Sequence, residues 1–198
     1  MKLYTSLTSP YGRKVRAVAL EKAIEVELVL VESPFFEVVR LNPIGQIPTL
    51  ERDDGSILFD SGVIAEYLDR RSEPALRGEG EARIAIGVWN ALADGLVEAT
   101  MKRMVELQRK PEAQSRAFVR HAEGKIKRIL AHAEDQIGDG YLVRDTFSFA
   151  DVALACALDY LDLRYPHPWR ERAPRLAAYG KRLLERPSLR QTRPPTQS

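Results

Sequence analysis

The apolar and polar residues follow two different periods along the chain. In residues 1–75, short alternating or wholly apolar runs, typical of strands, are interleaved with runs of helical spacing. The run at 26–31 is rich in β-branched residues and mostly apolar, which predicts a strand buried on both faces. The predicted elements are a strand at 3–7, a helix at 11–23, the strand at 26–31, a short irregular or helical segment, a hairpin about Asp54-Gly55 and a helix at 61–71. This order, β-α-β-α-β-β-α, indicates a compact α/β domain with a mixed sheet.

Strand patterns cease after residue 75, where the chain becomes rich in Pro, Gly and charge and predicts a linker at 76–82. Only helical spacing follows, which predicts an all-α domain over 83–198. Ser148 and Asp151 have the spacing of a capping box at the start of one of its helices. The helices of this part are predicted at 81–108, 112–137, 149–164 and 173–186.

Composition and charge exclude several classes of protein. Hydrophobic residues make up 44% and charged residues 29%, as in an ordinary globular protein. No apolar run approaches the roughly 18 residues that span a bilayer, and the N-terminus lacks the pattern of a secretory signal. We therefore expect a cytoplasmic protein without a membrane partner. The net charge of +2, with no basic cluster, also predicts no nucleic-acid partner.

The single cysteine and the three histidines predict neither a disulfide nor a metal site. Cys156 lies in an apolar run, which is typical of a buried structural thiol. His121 and His132 fall on one predicted helix about 16 Å apart, at about 1.5 Å per residue, which is too far to share an ion.

The first stretch with candidate chemistry is Thr8-Ser9-Pro10, where a predicted strand gives way to a helix. A helix N-terminus favours an anion, and a thiol-redox protein of this architecture would have cysteines in place of Ser9 and Gly12. Without sulfur, the Ser9 hydroxyl has two possible roles. It can donate a hydrogen bond to a thiolate that belongs to a ligand, or it can simply cap the helix.

The second stretch, Gln46-Ile47-Pro48, lies at the start of a predicted strand, where a proline is tolerated. If the Ile47–Pro48 bond is cis, the Ile47 backbone can turn outward and pair with an extended peptide-like ligand. The alternative is an ordinary proline between a loop and a strand.

The third stretch is Asp60-Ser61, in which Ser61 is predicted to cap the following helix. Backbone N–H groups at that helix start can hold a carboxylate, while Asp60 can pair with an ammonium group. The alternative is a cap with an acidic neighbour. All three stretches are predicted to lie at one end of the same sheet.

Taken together, "TSPYGRKVR", "LNPIGQIPTL" and "DSGVIAEYLD" resemble the cytosolic glutathione transferases, most closely their bacterial serine-type members. "FSFADVALACALDYL" resembles the capping-box helix of the same family, so the resemblance extends over essentially the whole chain. It implies a thioredoxin-like N-terminal domain that binds glutathione and an all-α C-terminal domain that forms most of the second-substrate pocket. It also implies a homodimer.

The resemblance further implies roles for particular residues. Ser9 is the expected catalytic residue, because it would hydrogen-bond the glutathione sulfur. Candidates for the second-substrate pocket are Trp89, Met101, Met104 and Trp169, with the protein core or a dimer interface as the alternative. The other implied glutathione contacts are the Ile47 backbone before Pro48 for the cysteinyl residue, Asp60 and Ser61 for the γ-glutamyl group, Gln46 for the glycyl end, and Thr8 and Arg13 near the sulfur.

The expected function is a transferase that activates the glutathione thiolate for attack on small hydrophobic electrophiles, as in detoxification. Two alternatives stay open. One is a glutathione-binding protein of the same fold with little transferase activity, and the other is a structural module that brings proteins together. Binding and turnover use the same residues, so the sequence does not separate the transferase from the binding protein.

Overall fold

The computed structural model describes residues 1–195, apart from the side chains of residues 34 and 35. The chain forms two compact units. One comprises Met1–Gly78 together with the segment that begins at Arg186, and the other is Glu79–Glu185. This corrects the predicted division, which assigned everything from residue 83 onward to the helical domain. The cause is a set of hydrogen bonds that fix the C-terminal segment to the first helix, described below.

A four-stranded mixed sheet forms the centre of the first unit. Its elements are β1 (Lys2–Thr5), α1 (Pro10–Glu21), β2 (Glu27–Leu30), α2 (Pro34–Val38), β3 (Thr49–Glu51), β4 (Ile57–Leu58) and α3 (Ser61–Asp69). The strand order is β2-β1-β3-β4. β1 pairs in parallel with β2 and antiparallel with β3, and the predicted hairpin joins β3 to β4. Gly55 in its turn has φ of 80°, which glycine adopts without strain.

The second strand, β2, is not buried on both faces, so the prediction from the pattern at 26–31 is wrong. Leu28 is 40% exposed and Leu30 is 56% exposed. Among the described strands β2 pairs only with β1, so it is an edge strand of the sheet. Its β-branched and apolar composition reflects the strand conformation itself rather than cover on both sides.

The core of the first unit forms where α1 and α3 pack together beside the sheet. Gly12 allows α1 to approach the end of β1 closely, because a Cβ atom at this position would lie 1.8 Å from Thr5 Oγ1. A side chain at this position would require Thr5 or the helix to move. The fully buried apolar residues of this core include Leu3, Val15, Val18, Leu50, Ile64 and Leu68.

A buried ion pair fixes the chain that follows α3. Lys22 Nζ lies 2.7 Å from Asp69 Oδ1, and the two side chains are 2% and 5% exposed. Because both charges also have backbone partners, their burial is tolerated. These partners are the carbonyls of Ser72 and Pro74 and the N–H groups of Leu76 and Arg77.

The second unit consists of helices packed around a central helix, α6 (Phe149–Arg164). Its elements are α4 (Gly80–Leu107), a 3₁₀ turn (Pro111–Ala113), α5 (Arg116–Gln136), α6, α7 (Trp169–Arg172) and α8 (Pro174–Leu183). α4 packs against α5 and α6, and α8 packs against α5, α6 and α7. The first 13 residues of α6 are all buried, among them Cys156, as its apolar pattern predicted. None of the helices described for residues 1–195 is long and apolar enough to cross a membrane.

The predicted capping box at the start of α6 is confirmed. Asp151 Oδ2 accepts a hydrogen bond from Ser148 N at 2.8 Å. Oδ1 of the same carboxylate accepts from Leu142 N at 3.1 Å and from the Tyr179 hydroxyl. The fully buried Asp151 therefore ties the start of α6 to the preceding loop and to α8.

The last described helix, α9 (Pro187–Gln191), belongs to the first unit. Arg13 Nη2, on α1, donates to the Leu189 carbonyl at 3.0 Å. Glu21 accepts two hydrogen bonds from the Arg186 guanidinium, at 2.7 and 2.6 Å, and another from the Ser188 hydroxyl. These bonds attach α9 along the length of α1, which apolar periodicity alone did not predict.

Candidate active site

The strand register brings the three candidate stretches to one end of the sheet. Tyr4 of β1 pairs with Thr49 of β3, and Leu50 of β3 pairs with Leu58 of β4. Since both pairs of strands are antiparallel, the end of β1, the start of β3 and the end of β4 lie side by side. The segments that leave or enter the sheet there carry Ser9, Ile47-Pro48 and Asp60-Ser61.

Ser9 is the N-cap of α1. Its Oγ accepts a hydrogen bond from Gly12 N at 3.1 Å, and the residue is half-buried. A hydroxyl that accepts one hydrogen bond still has its own proton to donate. The aligned peptide dipoles at the helix start add about half a positive charge. Capping and anion binding, the two roles weighed for Ser9, therefore use different parts of the same group.

The Ile47–Pro48 peptide bond is cis. Within residues 1–195, no other group of the chain accepts from the Ile47 N–H or donates to the Ile47 carbonyl. Ile47 is half-buried, while Pro48 is buried against the start of β3. The unpaired N–H and carbonyl of Ile47 are the groups that an added extended peptide would use.

Asn42 positions this loop, and the sequence interpretation missed it. The Asn42 side chain is 1% exposed, and its Nδ2 donates to the Gln46 carbonyl at 2.9 Å and to Thr49 Oγ1 at 3.0 Å. Its Oδ1 accepts from Ile44 N at 3.0 Å. The Asn-Pro dipeptide in "LNPIG" was the available signal, since asparagine commonly bonds to the backbone two residues further on. The Gln46 side chain itself is exposed.

The cap of α3 is Asp60, and the prediction that Ser61 caps this helix is wrong. Asp60 Oδ1 accepts from Gly62 N at 2.9 Å and from Val63 N at 3.4 Å. Its other oxygen, Oδ2, has no partner among the described residues, and the side chain is exposed. Ser61 is the first residue of the helix and is 5% exposed. The aspartate took the cap because its carboxylate reaches the N–H groups two and three residues ahead.

The two lesser candidates near the sulfur differ in their surroundings. Thr8 is half-buried beside Ser9. The Arg13 guanidinium is buried and bonds to α9, with Nη2 on the Leu189 carbonyl and Nε 3.4 Å from Thr192 Oγ1. These two contacts join the Arg13 guanidinium to the C-terminal segment.

The hydroxyl of Tyr4, the tyrosine of the first strand, is hydrogen-bonded to another residue. Its hydroxyl donates to Glu51 Oε2 at 2.8 Å. This hydrogen bond, together with burial and the charge of Glu51, raises the pKa of the Tyr4 hydroxyl above its ordinary value. Tyr4 is therefore a neutral donor to a carboxylate, and Ser9 is the hydroxyl at the helix start.

Two of the four second-substrate candidates, Trp89 and Trp169, line different cavities of the second unit. Trp89 lines a groove of about 450 Å³ between α4 and α5. Trp169 lines a separate cavity formed by α5 and the segment from the end of α6 through α7. Met101 is exposed and Met104 is half-buried, and neither lines these two spaces. The 12 positions from Trp89 to Met101 correspond to about 18 Å of helix, which separates them along α4.

Residues 1–195 contain no group of three or more His, Cys, Asp or Glu side chains placed to hold a metal ion. The chemistry at the end of the sheet is therefore that of a hydroxyl, a helix start, an open peptide edge and a carboxylate. A sheet of this order followed by an all-helical unit defines a thioredoxin-like domain with a helical second domain.

Comparison with protein-family models identifies the family. Residues 3–76 match the glutathione S-transferase N-terminal domain, and residues 97–182 match the glutathione S-transferase C-terminal domain. A GST-like protein of Escherichia coli K12, YibF, is 35% identical over 98% of this chain and 99% of its own length. The chain belongs to the glutathione S-transferase family.

Two solved structures of similar proteins contain glutathione or a derivative. A glutathione S-transferase of Methylobacillus flagellatus with glutathione bound has a TM-score of 0.94 and 40% identity, covering 98% of this chain and 99% of that one. A glutathione S-transferase of Methylobacterium radiotolerans in complex with glutathione sulfonate has a TM-score of 0.92 and 31% identity, covering 100% and 96%. The predicted family and fold class are confirmed.

Proposed function

We propose that this protein is a glutathione transferase of the serine type, in which Ser9 stabilises the thiolate of bound glutathione. The observation that carries the proposal is the hydrogen bond from Gly12 N to Ser9 Oγ at 3.1 Å. It fixes the hydroxyl at the start of α1 and leaves its proton available for a ligand atom in front of the helix. The chain itself has no cysteine at this position, so the sulfur must come with the ligand.

Ser9 and the start of α1 can supply the free energy that stabilisation of the glutathione thiolate requires. A free thiol has a pKa of about 8.5, so at pH 7 it is mostly protonated. Lowering this pKa by about two units requires about 2.7 kcal/mol of preferential stabilisation of the thiolate. A hydrogen bond to a charged group contributes about 1.5–3 kcal/mol, and a helix N-terminus adds about 0.3–1 kcal/mol. Ser9 and the start of α1 together can supply this amount.

The rest of the site fits the peptide part of glutathione. The unpaired N–H and carbonyl of Ile47 would bond to the cysteinyl backbone. The open oxygen of Asp60 would accept from the γ-glutamyl ammonium, and the N–H of Ser61 at the start of α3 would bind its carboxylate. The exposed Gln46 side chain would approach the glycyl end, and Thr8 would lie near the sulfur. Each ligand group thus has a partner of complementary charge or hydrogen-bonding type.

In the proposed reaction the thiol proton leaves to solvent and the thiolate sulfur attacks an electrophilic carbon of a small hydrophobic substrate. The new S–C bond forms as the leaving group departs with its electron pair. Where the substrate is a conjugated alkene, the neighbouring carbon takes a proton from water instead. Holding both reactants close together accelerates the step without any covalent bond to the protein. The cytoplasm, where glutathione sets the thiol redox poise, is the predicted location.

We place the interface of the predicted homodimer on the outer face of α4. Ile84 is 60% exposed and Val88 is 63% exposed, and Trp89 lines the groove beside them. Large exposed apolar side chains at helical spacing are typical of a protein interface. Sedimentation velocity of the purified chain should give a dimer, and Val88→Glu should give a folded monomer.

A titration of glutathione into the purified protein tests the proposed function. Thiolate absorbance is followed from pH 5 to 9 with protein in excess, so that nearly all glutathione is bound. We expect the bound thiol to ionise about two units below the free thiol. Saturable binding without this shift would make the chain a glutathione-binding protein, and absence of binding would favour a structural module.

A further inference from the structure

The second unit contains a cavity of about 310 Å³ formed by α5, the end of α6 and α7. Its inner wall is apolar, and each residue of that wall is less than a tenth exposed. The volume is at the lower end of the range of about 300–1,000 Å³ for small-molecule sites. It suits a compound with one ring or two fused rings. The wall consists of Leu130, Tyr165, Trp169 and Ala173.

The aromatic wall is held in place by contacts outside the cavity. Trp169 Nε1 donates to Asp162 Oδ1 at 2.8 Å, so the indole does not depend on a ligand for its hydrogen bond. The Arg170 guanidinium lies 4.6 Å from the centroid of the Trp169 ring and stacks on it. Because the indole N–H is hydrogen-bonded to Asp162 and one face of the ring is covered by Arg170, the indole offers the cavity a fixed apolar surface rather than a polar group.

Two cationic side chains line the same cavity without a counterion. Neither Lys127 on α5 nor Arg172 on α7 has an ion-pair or hydrogen-bond partner within residues 1–195. The one acidic residue of the lining, Glu123, is neutralised by Arg103, whose Nε lies 2.7 Å from Glu123 Oε1. This hydrogen bond holds the pKa of the Glu123 carboxyl below its usual range. The cavity therefore combines an apolar interior with two unmatched positive charges.

We propose that this cavity is a binding site for a small aromatic carboxylate. The ring lies against Trp169, Leu130 and Ala173, and the carboxylate bonds to Lys127 and Arg172. A guanidinium and an ammonium are the usual partners of a carboxylate, and apolar burial of the ring supplies the remaining affinity. All the residues involved belong to the second unit, so the site does not rest on the proposed glutathione chemistry.

Benzoate and benzylamine distinguish charge recognition from simple apolar binding. The chain has two tryptophans, so in Trp89→Phe the fluorescence reports Trp169 alone. We expect benzoate to change this fluorescence in a saturable way, with an affinity at least tenfold higher than that of benzylamine. Equal affinity for the two probes, or no change with benzoate up to 20 mM, would overturn the proposal.

Charge-removing variants locate the site. In the Trp89→Phe background, Lys127→Met and Arg172→Met should each weaken benzoate binding at least fivefold. Arg128→Met is the matched control, because Arg128 is exposed next to Lys127 on α5 and does not line the cavity. It should leave benzoate affinity unchanged. Equal losses of benzoate affinity in all three variants would indicate a general effect of charge and would refute the proposed site.

Two further measurements separate this cavity from the proposed glutathione site. Benzoate affinity should be the same in Ser9→Ala and in the presence of saturating glutathione. A crystal soaked with 4-iodobenzoate should show the iodine anomalous peak beside Trp169. Competition by glutathione together with indifference to Lys127→Met would place benzoate elsewhere and refute the cavity assignment.

Discussion

Asn42 Nδ2 donates to the Gln46 carbonyl oxygen at 2.9 Å, in the loop that presents Ile47. Thr49 Oγ1 donates to the same carbonyl at 2.9 Å, so two buried side chains hold one backbone oxygen from opposite ends of the loop. The geometry of the proposed peptide-binding edge is therefore set by residues that would not touch the ligand.

The first prediction concerns Asn42. Asn42→Ala leaves the Ile44 N–H and the Gln46 carbonyl short of partners, which should cost about 1–3 kcal/mol in the free energy of unfolding. Glutathione affinity should fall with it, because the Ile47 backbone is no longer fixed. Urea unfolding and calorimetric titration measure the two effects. Asn90→Ala, which removes an amide bonded to Asp94 in the second unit, is the control and should leave affinity unchanged. Unchanged affinity in Asn42→Ala would show that the loop is held by other contacts.

The second prediction separates the two roles of Ser9. Ser9→Ala should raise the pKa of the bound glutathione thiol by at least one unit while glutathione still binds. The loss of the helix cap should also lower the free energy of unfolding by about 1 kcal/mol. Ser115→Ala removes a similar cap, in which Ser115 Oγ accepts from Phe118 N, and should reproduce only the loss of stability. A thiol pKa that is the same in Ser9→Ala and the unmodified protein would remove Ser9 from the mechanism.

The third prediction tests the charge of Asp60. Asp60→Asn keeps an oxygen that can accept from Gly62 N and Val63 N, so the cap of α3 and the stability of the fold should persist. The ammonium of the γ-glutamyl group loses its anionic partner, and glutathione affinity should fall about tenfold or more. The thiol pKa of bound glutathione should stay the same. Asp60→Ala should show the same loss of affinity and an additional loss of stability. A shifted thiol pKa with intact affinity would mean that the roles of Asp60 and Ser9 are misassigned.

The fourth prediction is a pH dependence at α9. Burial raises the pKa of the Glu21 carboxyl, but the hydrogen bonds from Arg186 and Ser188 lower it by more. The resulting pKa is below the ordinary value of 4.5. A carboxyl whose pKa is lowered by folding stabilises the protein above its unfolded pKa, and this contribution is lost as the pH falls through the folded pKa. The free energy of unfolding should therefore decline from about pH 4.5 downward.

Glu21→Gln should flatten that decline and accelerate hydrogen exchange in α9 at neutral pH. Glu98→Gln is the control for hydrogen exchange, because the carboxyl pKa of Glu98 is also lowered, by Lys102 and Lys125, but Glu98 belongs to the second unit. It should also flatten part of the acid decline, yet leave exchange in α9 unchanged. A pH profile of Glu21→Gln identical to that of the unmodified chain would exclude Glu21 as the source.

The sequence predicted the elements with strong local signals. Helical spacing placed α4, α5 and α6 within a few residues of their observed bounds, and Asp54-Gly55 marked the hairpin correctly. Ser148 and Asp151 formed the predicted cap. These features depend on residues close together in the chain, so periodicity and turn chemistry were sufficient.

The errors all involve contacts between residues that are distant in the sequence or equivalent in local chemistry. The residues at 26–31 do not indicate that β2 is an edge strand, because the order of the strands is decided by which of them pairs with β1. Asp60 and Ser61 both make good caps, so only the backbone geometry decides between them. The bond from Arg13 to Leu189 joins residues 176 positions apart, and no local pattern could reveal it.

The attachment of α9 to α1 has a consequence for the order in which the protein is made. A ribosome releases residues 1–78 first, yet this unit lacks its last helix until residues 187–191 have emerged. During that interval Arg13 and Glu21 have no partners from α9, and the side of α1 that this helix covers is open to water. The unit that would hold glutathione is thus begun first and completed last, after the whole helical unit between its two parts has been synthesised.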